Sequence, residues 1–306
     1  MTSTPEITIK SWIMVALLGL IWGGTFMVQK LALGHMPPFW VAAGRIGFAA
    51  VITIAIWQLR GGRMFTTQET DWTRLGFVSV FSAAVPFMLL AWAQQYVTSA
   101  FTGVSMAAVA LIVLPLAHFF VPGERMTLRR TFGFLIGFAG VLVLIGPAAF
   151  ASSDSPLETA GQVACLAAAS CYGVSSIVLR KLPPLDPVGL AAATLIFGSC
   201  MVIPLAFIQH GPPPMPPLEG LALVALLGLV PTAGATLLRI MVIRTAGPVF
   251  MSLTNYQVPL WSVVFGVTLM GEALPGSMVW ATLLILSGVA LSQLGALQRL
   301  FGSKTV

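Results

Sequence analysis

About ten apolar stretches of roughly twenty residues each follow one another from Ser11 to Leu297, parted by short polar joints. No other feature of the chain constrains its fold as strongly. A bilayer core about 30 Å thick is crossed by about 20 helical residues, and within it every backbone polar group must find its partner inside the segment. The expected architecture is all-α and integral to a membrane, with ten transmembrane helices. The spans read Ser11 to Leu33, Pro38 to Leu59, Trp72 to Ala93, Ser99 to Phe120, Leu128 to Ala148, Ala160 to Leu182, Val188 to Ile208, Leu218 to Ala246, Pro248 to Met270 and Pro275 to Leu297. The first is read as a retained helix because it is too long for a secretory signal, lacks a small-residue cleavage pattern and precedes nine more spans.

Composition excludes the soluble classes. Of the 306 residues 58% are apolar and 8% charged, with a mean hydropathy of +0.96, whereas a soluble domain carries about 25% charged residues. The net charge of +6 is spread over the joints without a basic run or aromatic interleaving, so no nucleic-acid partner is expected. Cys165, Cys171 and Cys200 fall inside spans without metal or redox spacing, which leaves them as packing residues and gives no reason to expect a metal or cofactor. There is no His-Glu-x-x-His, no Gly-x-Ser-x-Gly elbow, no phosphate loop and no pair of carboxylates at helical spacing within a span. The chain is not expected to be an enzyme.

The basic residues orient the spans. With a cytoplasmic N-terminus, Lys10, Arg60, Arg63, Arg74, Arg125, Arg129, Arg130, Arg180, Lys181, Arg244, Arg299 and Lys304 all fall on the cytoplasmic side, twelve of the fifteen. Asp154, Glu158, Glu219 and Glu272 fall on the other. The positive-inside rule thus places both termini in the cytoplasm.

The sequence also repeats itself. Leu20-Ile21-Trp22-Gly23-Gly24-Thr25-Phe26 resembles Ser170-Cys171-Tyr172-Gly173-Val174-Ser175-Ser176, with Lys30 and Arg180 at matching positions. Gly123-Glu124 with Gly140-Val141, and Gly271-Glu272 with Gly288-Val289, are displaced by 148 positions. Five spans per unit is an odd number, so the halves, residues 11–148 and 160–297 with an external linker at 149–159, must face opposite ways.

Ten spans, a duplicated five-span unit, Trp22-Gly23 in the first helix and a Gly-Glu pair before the last helix of each half resemble the EamA-type branch of the drug/metabolite transporter superfamily over nearly the whole chain. Overall likeness is greatest to bacterial aromatic amino-acid exporters. The resemblance implies an inner-membrane export carrier whose cavity is lined mainly by helices one, three, four, six, eight and nine. One departure is that Pro115 precedes Glu124 by nine residues while Pro259 precedes Glu272 by thirteen, which predicts different bend depths in helices four and nine.

All nine acids sit at or beyond helix ends, so proton coupling through a carboxylate within a span is disfavoured. Glu124 and Glu272 read as loop anchors or caps. Site candidates are polar or aromatic groups at depth. Arg239 can snorkel to the surface or meet a substrate carboxylate in the cavity. Thr254-Asn255-Tyr256-Gln257 followed by Pro259 is the densest polar run; Asn255 and Tyr256 can serve as helix-to-helix glue or as a solute site, and the site reading is favoured. Trp22 and Tyr172, beside Gly23 and Gly173, can stack on an apolar solute or mark close helix packing. Trp92 and Gln95 lie near the outer end of helix three, and His118, the one histidine in an apolar stretch, is a candidate proton relay. Arg45 reads as a salt-bridged or snorkelling residue and Lys30 as interfacial. The Gly133-x-x-x-Gly137-x-x-Gly140 face reads as a helix contact.

The function expected is alternating-access export of a small amphipathic metabolite, an aromatic or large apolar amino acid, by a monomer or weak homo-oligomer in a bilayer. Broad drug efflux and a non-transporting membrane interaction protein are the alternatives.

Overall fold

Local signals set where each helix starts. Thr8 and Ser11 form a reciprocal capping box at 3.3 Å in each direction, and Asp71, Thr98, Thr127 and Asp186 each accept a backbone N–H from the first turn they cap. Proline stands in the first turn after Pro37 and after Asp186, where its missing N–H costs nothing. The computed structural model describes residues 7–146 and 156–301. Its helices are α1 (Ile9–Leu33), α2 (Pro38–Leu59), α3 (Trp72–Ala93), α4 (Ser99–Phe120), α5 (Leu128–Ile145), α6 (Pro156–Leu179), α7 (Pro187–His210), α8 (Leu218–Met251), α9 (Thr254–Met270) and α10 (Gly276–Phe301). Nine of these are long and apolar enough to cross a membrane, and there is no strand among the described residues. α9, with 17 residues, is shorter. Most of the expected linker at 149–159 lies outside the described residues.

Three of the helices are interrupted. In α3 the backbone widens over Val80–Ala84 just ahead of Pro86, and in α8 it widens over Gly228–Gly234 around Pro231. A proline cannot donate to the carbonyl four residues back, and a wide turn accommodates its ring. The carbonyl that Pro231 leaves unpaired, that of Leu227, accepts the Thr232 hydroxyl at 2.8 Å. α4 breaks between Ser99–Ser105 and Ala108–Phe120. The ninth span, expected from Pro248, instead opens with a kink at Gly247 (φ 87°), one helical turn, and a break at Ser252-Leu253 before α9 begins. Pro115 follows the break at Met106-Ala107 by nine residues from Met106, and Pro259 follows the break at Ser252-Leu253 by seven from Ser252.

Glycines let the helices meet. α1 packs on α9, where a methyl at Gly23 would run into Trp261 Cβ, and α6 packs on α4, where a methyl at Gly173 would meet Ile112 Cγ2 at 2.8 Å. α2 packs on α7. α5 lies along α10, where a methyl on Gly133 would meet the Gly288 carbonyl at 2.6 Å and one on Gly140 would meet Ile285 Cγ1 at 2.8 Å. Apolar side chains such as Phe132, Leu135, Phe138 and Leu142 stand exposed on α5, as they must against hydrocarbon.

Contacts also define two ends of the bundle. Arg130, Arg180 and Glu124 gather at one, called here the basic end, where Glu124 bonds Arg130 at 2.8 Å and approaches Arg180 at 3.6 Å. At the opposite end Glu272 accepts the Ser99 N–H at 2.7 Å, the Ser99 hydroxyl at 3.0 Å and the Ala100 N–H at 3.0 Å. That carboxylate caps α4 and complements its dipole.

Candidate functional site

The wide turn of α8 builds the centre of the molecule. With the helical ladder opened, the Pro231 carbonyl turns to accept the Trp22 indole N–H at 3.1 Å, which fixes that ring from α1. Thr232, already donating to Leu227, accepts from Arg45 Nε at 2.9 Å. Arg45 also donates to Gln29 Oε1 at 3.1 Å and lies over the Phe87 ring at 3.9 Å from its centroid. The salt bridge or snorkelling expected of Arg45 is not what occurs: it is 6% exposed, turned inward and free of any carboxylate among the described residues. Lys30, expected at the interface, is half-buried and donates to the Gln94 and Val97 carbonyls at 2.6 and 2.8 Å, closing the last turn of α3.

Around these groups lies a cavity of about 350 Å³ lined by Trp22, Phe87, Met106, Tyr172, Arg239, Asn255 and their neighbours. It adjoins a second space of about 500 Å³, sharing Tyr172, Thr236 and Arg239, that reaches the helix ends at Leu179 and Pro187 on the basic side. All six helices implied by the family resemblance contribute to the smaller cavity, and α2 joins them through Arg45. Thr232, Thr236 and Arg239 occupy one face of α8 at spacings of four and three residues. Thr236 donates to the Thr232 carbonyl at 2.6 Å. Arg239 and the Asn255 amide have no hydrogen-bond or ion-pair partner among the described residues, and both are exposed to the hollow.

Of the candidates named from sequence, the structure brings Trp22, Tyr172, Arg239 and Asn255 together in one cavity wall. It does not bring in the other four. Trp92 packs edge-on against Tyr96 at 5.1 Å between ring centroids, and Gln95 is exposed, donating to the Trp92 carbonyl at 3.2 Å. His118 is exposed at the end of α4, its Nδ1 accepting the Met126 N–H at 3.4 Å. Tyr256 turns toward α10, its hydroxyl donating to Gln293 Oε1 at 3.4 Å. Sequence reasoning passed over Phe87, Thr232 and Thr236 and misread Arg45. The spacing of Thr232, Thr236 and Arg239 was the available signal for the α8 face.

The comparisons point to a transporter. The Uncharacterized transporter YoaV of Bacillus subtilis is 24% identical over 195 residues, 63% of this chain and 65% of that protein, so slightly under two thirds of its length is matched. The Uncharacterized inner membrane transporter YedA of Escherichia coli K12 is 27% identical over 294 residues, covering 94% of this chain and 92% of that one. A solved crystal structure superposes with a TM-score of 0.65 at 21% identity, covering 95% of this chain and 98% of its own, a likeness of fold alone. The EamA-like transporter family matches residues 10–146 and again 159–294. The chain, a multi-pass membrane protein, belongs to the EamA-like transporter family.

Proposed function

We propose that this protein exports a small amphipathic metabolite, an aromatic or large apolar amino acid, across a bacterial inner membrane by alternating access. The observation that carries the reading is one cavity, reached by side chains from seven helices, in which the rings of Trp22, Phe87 and Tyr172 stand beside an unpartnered Arg239. Aromatic walls take an apolar body, and a free guanidinium takes a carboxylate. No acid among the described residues lines either space, which argues against a titrating carboxylate as the coupling device.

Ten spans in two inverted five-helix units, residues 11–148 and 160–297, remain the architecture we infer. The double family match supports it, as do three paired features: the wide turns at Val80–Ala84 and Gly228–Gly234, the positive-φ glycines Gly123 and Gly271, and the packing of Gly23 on Trp261 and of Gly173 on Ile112. The charge pattern supports a cytoplasmic location for both termini and for the basic end to which the larger space extends. Reconstituted protein should move labelled phenylalanine with saturation, and Asn255→Ala should weaken transport while leaving the melting temperature in place. Flux that never saturates would identify a channel, and no flux of any large apolar amino acid would remove the substrate assignment.

A further inference from the structure

Among the described residues, the cavity holds two guanidinium groups and no carboxylate. Arg45 is held by Thr232, Gln29 and the face of Phe87, all uncharged groups, so two of its donors are engaged and its charge is not compensated. Arg239 has no hydrogen-bond or ion-pair partner among the described residues. The described acids stand at the two ends of the bundle or in its joints, as the contacts of Asp71, Glu124, Glu219 and Glu272 show. An uncompensated charge in a low-dielectric interior is costly, and an anion that enters relieves that cost where a cation adds to it. A solute's ammonium group would find no carboxylate here, only neutral acceptors such as the Asn255 amide oxygen; the Pro231 carbonyl already serves Trp22.

We propose that the site reads the carboxylate of its cargo and not the amine, so that small monocarboxylates with an aryl or branched apolar body are cargo on equal terms with the amino acids. The proposal rests on the carrier reading above and deepens it. Arg239 supplies the first contact, since none of its donors is taken while Thr232 and Gln29 hold Arg45 in place, and the walls formed by Trp22, Phe87 and Met106 take the apolar body. Removing the amine from a substrate then costs little affinity. Removing the carboxylate costs most of it.

The test uses the full-length protein in two formats: proteoliposomes loaded for uptake of labelled phenylalanine, and detergent-solubilised protein melted with and without ligand. Competitors are 3-phenylpropanoate, which lacks the amine, and 2-phenylethylamine, which lacks the carboxylate. Phenylpropanoate should compete and stabilise at least as well as phenylalanine, and phenylethylamine should be weaker by roughly tenfold or more, the worth of one charge-assisted hydrogen bond. Arg239→Gln should abolish the preference for the acid without lowering the melting temperature of the ligand-free protein, and Arg239→Lys should retain part of it. An amine that competes as well as the acid, an Arg239→Gln variant with unchanged preference, or an acid that neither stabilises nor competes overturns the proposal. The two readings separate cleanly. Phenylpropanoate stabilising the wild type but not Arg239→Gln, with no movement of phenylalanine, would remove the amino-acid assignment and keep the carboxylate site. Saturable phenylalanine transport inhibited equally by acid and amine would keep the carrier and remove the carboxylate site.

Discussion

Gly123-Glu124 and Gly271-Glu272 are the same two residues in the same place of each half, and the molecule uses them differently. Both glycines take positive φ, 83° and 66°, a turn only glycine makes without strain. Past that turn the carboxylates part ways. Glu272 is spent on the first turn of α4, satisfying two backbone donors and a hydroxyl. Glu124 is left on a surface loop with two arginines, its side chain 37% exposed. Helix-end donors satisfied by a carboxylate hold two elements together, whereas exposed ion pairs contribute little. At the end with Glu272 a carboxylate ties the loop before α10 to the start of α4, and the end with Glu124 is where the larger space reaches Leu179 and Pro187. Equal motifs are not in equal states.

The largest effect is expected where the comparison depends on a common frame, the seam between α5 and α10 that follows the two loops. Gly288→Leu would drive a side chain into the Gly133 carbonyl and Gly137 backbone and should cost more than about 3 kcal/mol, seen as loss of a monodisperse peak in fluorescence-detected size exclusion. Next, Glu272→Ala should remove roughly 2–4 kcal/mol by leaving the α4 donors unmet, and Glu124→Ala about 1 kcal/mol or less. Equal drops in melting temperature for the two variants would end the distinction drawn between the loops. A cysteine scan on a background lacking Cys165, Cys171 and Cys200 sharpens it further: Ser176→Cys should react with a bulky thiol reagent applied at the basic end, and Thr102→Cys, behind the Glu272 cap, should not. Trp22→Phe should lower stability by about 1 kcal/mol through the lost indole bond to Pro231, a change readable in the same melts. The smallest shift should come from raising the salt concentration to about 1 M, which screens the Glu124 pairs and leaves the Glu272 cap nearly untouched.

The spans were legible because hydrocarbon imposes one requirement on every residue in them, and the start points followed from prolines and capping side chains. Rotation about each helix was not. Asn255 and Tyr256 are neighbours in sequence but about 100° apart around a helix, and only packing against α10 decides that Tyr256 reaches Gln293 while Asn255 faces the cavity. Gln94 and Gln95 divide in the same way, the first buried and donating to the Phe26 carbonyl, the second exposed. His118 belongs to an apolar run whose final turn projects beyond the bundle. Arg45 was misjudged because its partners, Thr232 and Gln29, lie 187 and 16 residues away and form no sequence pattern.

The break in the ninth span bears on how it sits in lipid. α9 alone, with 17 residues, rises about 26 Å, and the helical turn at 248–251 ahead of Ser252-Leu253 supplies the remaining length, so the span crosses an average hydrocarbon slab as two stacked pieces. Leu260, Val264 and Leu269 stand exposed along the longer piece. A joint without the full helical ladder bends more easily than a continuous helix, so the shorter piece can tilt against the longer one without unwinding either.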